Sequence, residues 1–419
     1  MRRHGPSLAA RPEPALNRRP DTNTSDIAMT LVLDSADTLP RDGTAGALAG
    51  RAWHPGHGGP AVVAVRADGL YDVTAAFPTM RDLAERPDPA AALRAAAGER
   101  LCGLDEALAN TPPDARDPGK PWLLAPVDLQ AIKAAGVTFA VSMLERVIEE
   151  RARGDGAAAA AIRAEIVALV GEDFSKLRPG SEEAMRLKAA LIARGAWSQY
   201  LEVGIGPDAE IFTKAQPMAA VGTGADAGLH PASAWNNPEP EAVLVVASDG
   251  RIVGATLGND VNLRDVEGRS ALLLGKAKDN NASCALGPFV RFFDETFTLD
   301  GLRALEIALE VRGEDGYRLR GGSSMAKISR DPAALAAEMI GANHGYPDGA
   351  VLFLGTLFAP VEDRGAPGAG FTHAIGDVVT VSAPELGSLV NRMRLCADCA
   401  PWTYGASHLM RHLAGRGVL

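Results

Sequence analysis

Three acidic residues flank one predicted tight turn, and their spacing brings them together. Glu239 and Glu241 open one apolar run, and Asp260 closes the next. Between the runs lies Asp249-Gly250, a dipeptide preferred at the centre of a two-residue β-hairpin loop. A hairpin closed there places Glu239 directly opposite Asp260. Opposed residues share one face of a sheet, and Glu241, two residues from Glu239, lies on that face as well.

This acidic cluster (Glu239, Glu241 and Asp260) predicts a cation site. Both faces of the hairpin are otherwise apolar, so we expect the cluster to be at least partly buried. Buried carboxylates that repel one another are relieved by protonation or by a bound cation. Oxygen ligands favour Mg²⁺, Mn²⁺ or Ca²⁺ over Zn²⁺, and we expect Mg²⁺ or Mn²⁺. The alternative is three solvated acids at the open end of a hairpin, which the opposition of Glu239 and Asp260 disfavours.

Motifs around this hairpin resemble those of the fumarylacetoacetate hydrolase superfamily, over roughly residues 125–391. In chain order they are Pro238-Glu239-Pro240-Glu241, Gly258-Asn259-Asp260-Val261-Asn262-Leu263-Arg264-Asp265, Lys278, Gly287-Pro288, Pro347-Asp348-Gly349, Gly355-Thr356, Gly376-Asp377-Val378 and Leu386-Gly387. The resemblance implies an α+β fold, a mixed β-sheet roll with a helical insertion and a small N-terminal domain. It also implies that the acidic cluster binds a divalent metal, usually Mg²⁺.

One departure from the superfamily bears on the reaction. Its hydrolases carry a Tyr-Ala-Asp-His-x-x-Glu segment, whose His and Glu activate the attacking water. The matching residues 139–145 have Ser142 in place of the His and retain Glu145. A serine hydroxyl is far too weak a base for this task at neutral pH, so hydrolysis of a C–C bond is disfavoured.

Further segments resemble the branch of sugar-acid dehydratases that act on 2-keto-3-deoxy-pentonates. They are residues 135–142, 209–214 and 235–241, with similarity continuing through Pro401-Trp402-Thr403. The resemblance implies a lyase of sugar-acid catabolism, a hydro-lyase that converts a 2-keto-3-deoxy-pentonate to 2,5-dioxopentanoate. Substrates of xylonate and of arabinonate type, which differ at C4, both remain open.

The resemblance also implies roles for residues outside the acidic cluster. Glu210 falls on the acid/base residue of the branch, and Lys278 would stabilise an enolate through its charge. Thr356, at a predicted strand end, is a candidate for binding a substrate oxygen. Two other functions remain open: a hydrolase or decarboxylase of an acylpyruvate-like diketo acid, and a non-enzymatic binding protein with a cation-stabilised hairpin.

Apolar patterning predicts a β-rich protein interrupted by helices. Strands are predicted at residues 61–65, 70–73, 243–246, 252–257, 304–311, 351–355 and 376–381. Apolar residues at helical spacing predict helices between residues 137 and 200, and the insertion at about 150–200 is a candidate lid. The predicted domains are a disordered extension over residues 1–28, a small N-terminal domain over 45–120 and a catalytic domain over 125–419.

Composition excludes several classes of protein. The 419 residues are 47% hydrophobic and 22% charged, which is typical of globular proteins, and the net charge is −10. No run approaches the roughly 18 to 20 apolar residues of a membrane span, and Lys and Arg do not cluster beyond the N-terminal extension. We therefore expect no membrane and no nucleic-acid partner. Four cysteines suit a reducing compartment, so we expect a cytoplasmic protein. We also expect a homodimer or homotetramer, with a small sugar acid as the substrate.

The N-terminal extension, residues 1–28, has too little apolar content to offset the entropy lost on ordering. A protein that begins at Met29 is expected to keep the activity and the thermal stability of the full chain when both are measured side by side. A large loss of either would show that the extension packs on the folded body or completes a site.

Overall fold

The computed structural model describes residues 31–153, 177–193, 195, 197–364 and 370–419. The strands are β1 Ala47–His54, β2 Gly59–Arg66, β3 Gly69–Asp72, β4 Glu99–Cys102, β5 Trp122–Leu124, β6 Ala131–Gly136, β7 Glu210–Ala215, β8 Asp226–Leu229, β9 Asn236–Asn237, β10 Pro240–Val246, β11 Ile252–Asp260, β12 Asn262–Leu263, β13 Cys284–Phe292, β14 Glu306–Arg312, β15 Arg318–Ser324, β16 Ala350–Phe353, β17 Val378–Ala383 and β18 Gly387–Leu395. The helices are α1 Ser35–Thr38, α2 Met80–Ala84, α3 Pro89–Ala95, α4 Leu104–Ala109, α5 Ala140–Ala152, α6 Glu182–Ala193, α7 Gln199–Ile205, α8 Arg264–Glu267, α9 Leu274–Lys278, α10 Leu299–Arg303, α11 Pro332–Met339 and α12 Ala406–Gly415. The predicted extension and residues 154–176 of the predicted insertion lie outside the described residues.

An eleven-stranded mixed sheet carries the hairpin. Its strand order is β4-β3-β2-β1-β13-β11-β10-β16-β6-β7, and β5 pairs with β1. Strands β16 and β6 run parallel, whereas β10 is antiparallel to both β11 and β16. The N-terminal strands thus continue the sheet of the hairpin through the β1–β13 pair. The predicted division of the chain near residues 120–125 stays a prediction.

A second sheet, of five strands in the order β15-β14-β17-β18-β8, packs against the first. Apolar side chains from both sheets share one core, among them Leu244, Leu257, Leu309, Val381 and Leu389. The opposite face of the large sheet packs beneath α2 and α3, through a second core. Because β10 is buried on both faces, its sequence is a continuous apolar run rather than an alternating one.

The predicted register of the hairpin is confirmed along most of its length. Pro240 pairs with Asn259. One step further, the amide of Asp260 donates to the carbonyl of Glu239 at 3.0 Å. The apolar faces and the turn together fix this register, because a slip by one residue would move every side chain of a strand to the opposite face of the sheet.

The turn itself differs from the predicted two-residue loop. The amide of Ala247 donates to the carbonyl of Arg251 at 2.9 Å, so three residues form the loop. Gly250 has φ +88°, a left-handed conformation that glycine adopts without strain. A register shift just after Val245 accommodates the additional residue. The prediction of the loop was wrong by one residue, while the pairing beyond the shift was unaffected.

Helices α5, α6 and α7 pack together beside the end of the sheet that carries the acidic cluster. Their shared core includes Met143, Ile148, Ala184, Leu201 and Ile205. Helix α7 begins where the side chain of Ser198 accepts a hydrogen bond from the amide of Tyr200. In the described part of the chain, every helix is too short or too polar to cross a membrane.

Candidate active site

The structure brings the three predicted ligands together in a buried position. Glu239, Glu241 and Asp260 are each about 1% exposed. One carboxylate oxygen from each lies within 4.8 Å of the others. Glu241 is part of β10 and Asp260 ends β11, so the hairpin register alone accounts for their proximity.

Glu241 is held by the chain segment that follows β16. The amide of Gly355 donates to Oε2 of Glu241 at 2.7 Å, and the hydroxyl of Thr356 lies 3.2 Å from its Oε1. Because Val243 pairs with Phe353, the register continued by two residues brings Gly355 opposite Glu241. Thr356 therefore lies beside the acidic cluster.

Lys278, the last residue of α9, points its ammonium group into the acidic cluster. Its Nζ lies 2.6 Å from Oε2 of Glu239 and 3.0 Å from Oδ2 of Asp260. The side chain is buried, whereas the neighbouring Lys276 is exposed. Of the two lysines in this helix, it is therefore Lys278 that the fold directs to the site.

Glu210 lines the same cavity from the first position of β7. It pairs across the sheet with Gly136 of β6. A Cβ atom at residue 136 would overlap Oε2 of Glu210, so a glycine is required there for the carboxylate to lie over the strand. Glu210 makes no direct contact with the acidic cluster among the hydrogen bonds of the described residues, and it lines the cavity beside the cluster.

Sequence reasoning gave no role to Lys214, a fully buried lysine on β7. Its Nζ lies 2.8 Å from Oδ1 of Asp260 and donates to the carbonyls of Val261 and Lys278. The side chain thus orients Asp260 and ties it to the end of α9. Half of the residues of β7 are polar, so nothing in the sequence indicated that this lysine would be buried.

Two further charged residues were also missed. Arg146 on α5 contacts Oε1 of Glu239, and its Nη1 lies 3.0 Å from Oε2 of Glu267 on α8. Arg146 follows Ser142 by four positions, so the two positions share a helix face. That spacing could have identified Arg146, since Ser142 occupies the position of the hydrolase His. The side chain of Ser142 lies outside the described residues.

Glu145, the other residue retained from the hydrolase segment, is engaged in a buried ion pair. Its Oε2 lies 2.9 Å from Nη2 of Arg264. The guanidinium of Arg264 also stacks over the ring of Trp235, at 4.4 Å from the centroid. This pair connects α5 to the start of α8, so Glu145 has a structural partner of its own.

Burial and mutual repulsion push the carboxylates of the cluster in opposite directions. Burial opposes ionisation of Glu239, but the charges of Lys278 and Arg146 outweigh it and lower the pKa of Glu239 to about 2. Burial, followed by repulsion from Asp260 and Glu239, raises the pKa of Glu241 well above its ordinary value. One acid of the cluster is thus firmly ionised and another resists ionisation.

Burial likewise raises the pKa of Glu210, although the nearby positive charges of Arg146 and Lys278 oppose the shift. A carboxyl group with a raised pKa holds its proton more readily than an ordinary glutamate, a property that suits a general acid/base. Lys278 behaves in the opposite way to an ordinary buried lysine. Burial lowers its pKa, but the attraction of Asp260 and Glu239 outweighs burial, so its pKa is raised and it stays charged.

The donor set of this site fits a divalent cation. The described residues around the cavity carry more acids than bases: the acids are Glu210, Glu239, Glu241, Asp260 and Glu267, and the bases are Arg146, Lys214 and Lys278. If all are ionised, two negative charges remain, which one divalent cation would neutralise. Carboxylate oxygens alone are a donor set that suits Mg²⁺ or Mn²⁺.

Comparison with known proteins agrees with the motifs noted in the sequence. Residues 236–394 match the family described as Fumarylacetoacetate (FAA) hydrolase C-terminal. This part of the chain is similar to that family. The predicted resemblance is thereby confirmed, and the matched residues contain the acidic cluster, Lys278 and Thr356.

Curated relatives are similar to this chain over part of their length. The chain is 31% identical to a 2-dehydro-3-deoxy-D-arabinonate dehydratase of Saccharolobus solfataricus over 185 residues, which are 44% of the chain and 58% of the relative. It is 29% identical to a probable 2-keto-3-deoxyxylonate dehydratase of Haloferax volcanii over 192 residues, 46% of the chain and 62% of the relative. The chain therefore matches about three fifths of the length of these relatives.

A solved structure confirms the predicted fold. It is a 2-keto-3-deoxy-D-arabinonate dehydratase complexed with magnesium and 2,5-dioxopentanoate, with a TM-score of 0.55 and 20% sequence identity to this chain. The likeness covers 83% of this chain and 98% of that protein. The chain thus has the predicted α+β fold, with its mixed sheet and packed helices.

Proposed function

We propose that this protein is a lyase, a metal-dependent dehydratase that converts a 2-keto-3-deoxy-pentonate to 2,5-dioxopentanoate. The observation that carries the proposal is the buried acidic cluster sharing one cavity with Lys278 and Glu210. The names of the two curated relatives support the substrate class, with an arabinonate-type and a xylonate-type acid as the candidates.

The cofactor in this proposal is Mg²⁺, with Mn²⁺ as the alternative. Glu239, Glu241 and Asp260 would hold it, and the magnesium in the related dehydratase structure supports this assignment. When bound, such an ion supplies a Lewis acid beside the carboxylate and the C2 oxygen of a 2-keto acid. The set of three carboxylate ligands is the feature of this chain that favours such an ion.

The residues of the chain account for the remaining chemistry. The C2 ketone acidifies the C3 protons, and Glu210 is the group that would move a proton at C3 or at the C4 hydroxyl. Lys278 would stabilise the enolate, because its ammonium is fixed, buried and charged. Loss of a C3 proton and of the C4 hydroxyl as water leaves an unsaturated 2-keto acid, which tautomerises to the C5 aldehyde. Thr356 would hold a substrate oxygen beside Glu241.

Substrate choice separates this proposal from a hydrolase or decarboxylase of acylpyruvates. Cleavage by water needs a positioned base, and residue 142 is a serine rather than a histidine. The purified protein should release no pyruvate from an acylpyruvate, while it forms 2,5-dioxopentanoate from a 2-keto-3-deoxy-pentonate. Pyruvate release at a comparable rate would overturn the assignment as a dehydratase.

We also propose a cellular setting for the protein. All four cysteines are free in this structure, which agrees with a reducing, cytoplasmic environment. The proposed partner is a small sugar acid. A homodimer or homotetramer stays a prediction.

Substitution of Gly136 should inactivate the protein without unfolding it. In Gly136→Ala, the new methyl group overlaps the end of the Glu210 side chain, which is flexible and can move aside. We expect a strong fall in kcat with little change in melting temperature, measured by steady-state kinetics and thermal denaturation. The control is Gly415→Ala, where an added Cβ meets no atom. Full activity of Gly136→Ala would contradict the role of Glu210.

Thermal stabilisation by Mg²⁺ should increase with pH. Glu241 holds its proton above its ordinary range, and a bound cation requires the ionised form, so protons and Mg²⁺ compete. Without metal, the native state binds more protons than the unfolded chain once pH exceeds the unfolded pKa of Glu241. The free energy of unfolding of the metal-free protein therefore falls as pH rises through the pKa that Glu241 has in the native state. Glu239, with a pKa of about 2, does not titrate in this range.

The measurement is the melting temperature with and without Mg²⁺ at several pH values between about 5 and 8.5. The difference in melting temperature should widen towards high pH in the parent protein. In Glu241→Gln, which lacks one proposed ligand, the difference should be small at every pH. A pH-independent difference in the parent protein would show that Glu241 is ionised before the metal binds.

A further inference from the structure

We propose that His54, His57 and Asp72 bind a transition-metal ion of the Zn²⁺ class, at a site outside the candidate active site. One nitrogen from each imidazole and one carboxylate oxygen of Asp72 lie within 4.8 Å of one another. We call these three residues the histidine cluster. Neither the motifs nor the comparisons assign it. The proposal does not depend on the proposed function, because the histidine cluster shares no residue with the cavity of the candidate active site.

Two adjoining elements position the two histidines. His54 ends β1, and His57 lies in the short turn, Pro55–His57, that leads into β2. Gly58 closes this turn in a left-handed conformation, with φ +63°. The turn brings the two imidazoles side by side, with ring centroids 4.3 Å apart. Asp72, the last residue of β3, adds the carboxylate from a third element.

An unpartnered ring nitrogen in the cluster is a second observation that points to a ligand. Nδ1 of His54 is buried, and it has no hydrogen-bond partner among the described residues. A buried polar atom costs free energy unless it binds a partner, and a metal ion is a partner that an imidazole nitrogen accepts. His57 is exposed to solvent, which gives an ion a route into the histidine cluster.

The fold already orients Asp72 and leaves it able to bind a metal. The amide of Thr74 donates to Oδ1 of Asp72 at 2.8 Å, and Nη2 of Arg416 donates to Oδ2 at 2.8 Å. An ionised carboxylate offers about four acceptor positions, so both contacts can stay in place when a metal binds. Carboxylates that ligate metals are themselves held by such hydrogen bonds. Because Arg416 follows α12, its contact also joins the histidine cluster to the C-terminal helix.

The donor set selects a different metal from that of the acidic cluster. Imidazole nitrogens suit Zn²⁺, Cu²⁺ and Ni²⁺, whereas Mg²⁺ prefers oxygen ligands alone. Two imidazoles and one carboxylate are a set that Zn²⁺ uses with a fourth position open to water. Ligand atoms on a tetrahedral Zn²⁺ lie roughly 3.4 Å apart. The atoms of the histidine cluster come close to that spacing, and His57 lies on a short exposed turn that can close the difference.

The first test is Zn²⁺ binding by the full-length protein in the presence of excess Mg²⁺, which fills the acidic cluster. Titration calorimetry should detect binding of Zn²⁺ by the parent protein. Loss of a residue that merely supports a ligand weakens metal binding roughly 10- to 100-fold, so His57→Ala should weaken it at least that much. The control is His344→Ala, which removes another exposed histidine. Equal Zn²⁺ affinity in His57→Ala and the parent protein would refute the proposal.

The second test separates the histidine cluster from the acidic cluster by thermal denaturation. Zn²⁺ should raise the melting temperature of the parent protein, because the ion joins β1, the turn and β3 in the native state alone. The increase should persist in Asp260→Asn, which disables the acidic cluster, and it should be lost in His57→Ala. An increase that persists in His57→Ala and is lost in Asp260→Asn would assign Zn²⁺ to the acidic cluster and overturn the proposal.

The coordination itself is read with Co²⁺ as a spectroscopic substitute for Zn²⁺. A tetrahedral site with imidazole ligands gives strong visible absorption, whereas an octahedral site of oxygen ligands absorbs weakly. The Mg²⁺-loaded parent protein should show the strong band, and Asp72→Asn and His57→Ala should both lose it. A weak spectrum in the parent protein would contradict the proposed ligands. Absence of dehydratase activity would refute the proposed function and would leave all three of these measurements valid.

Discussion

Glu239→Gln and Asp260→Asn should each abolish dehydration and remove the thermal stabilisation that Mg²⁺ gives the parent protein. Each substitution keeps the size of the side chain but removes one negative charge from a buried set of oxygen ligands. A ligand that binds only the native state stabilises it by about 2.7 kcal/mol at 100 times its dissociation constant. We expect both variants to lack this stabilisation, which is measured as the difference in melting temperature with and without Mg²⁺.

The matched control is Glu295→Gln, which makes the same chemical change at a side chain that is 81% exposed. It should keep both the activity and the Mg²⁺ shift. If Mg²⁺ leaves the melting temperature of the parent protein unchanged and EDTA leaves its activity intact, the acidic cluster is not a catalytic metal site.

Glu210→Gln should lower kcat by about 10²- to 10⁴-fold, the usual contribution of a general acid/base. The amide keeps the shape of the side chain but can neither take up nor release a proton near neutral pH. Mg²⁺ affinity should change little, because Glu210 lines the cavity without belonging to the acidic cluster. Steady-state kinetics and calorimetric titration of the same preparation give the two quantities.

The combination of results is what identifies the role of Glu210. A large loss of kcat with metal binding preserved assigns it to proton transfer. A fully active Glu210→Gln would remove it from the mechanism. A large loss of Mg²⁺ affinity would instead make it part of the metal site.

The acidic cluster could be predicted because it depends on local information. The apolar runs define two strands, the Asp-Gly dipeptide defines their turn, and the resulting register puts Glu239 opposite Asp260. The turn contained one residue more than expected, but the register shift after Val245 absorbed it before the pairing reached the cluster. A predicted strand register can be correct despite an error of one residue in the loop, because burial of the strand faces fixes which residues pair.

Lys214, Arg146 and Glu267 could not be assigned because their partners are distant in sequence. Lys214 reaches Asp260 only because β7 lies at the edge of the large sheet beside α9. Arg146 meets Glu239 only after α5 has packed over the end of the sheet. Each such contact follows from the tertiary arrangement. The spacing of Arg146 from Ser142 marks a helix face, but it does not identify Glu239 as the partner. The continuation of the sheet into β1–β5 depends in the same way on the long-range β1–β13 pair.

The most direct test of the proposed function is identification of the product by NMR. The purified full-length protein is incubated with each C4 epimer of a 2-keto-3-deoxy-pentonate, with Mg²⁺ and after removal of metal by EDTA. We expect 2,5-dioxopentanoate to accumulate from at least one epimer when Mg²⁺ is present, and to stop accumulating in EDTA until Mg²⁺ is restored. Absence of 2,5-dioxopentanoate from both epimers in the presence of Mg²⁺, or an undiminished rate in EDTA, would contradict the proposed metal-dependent dehydration.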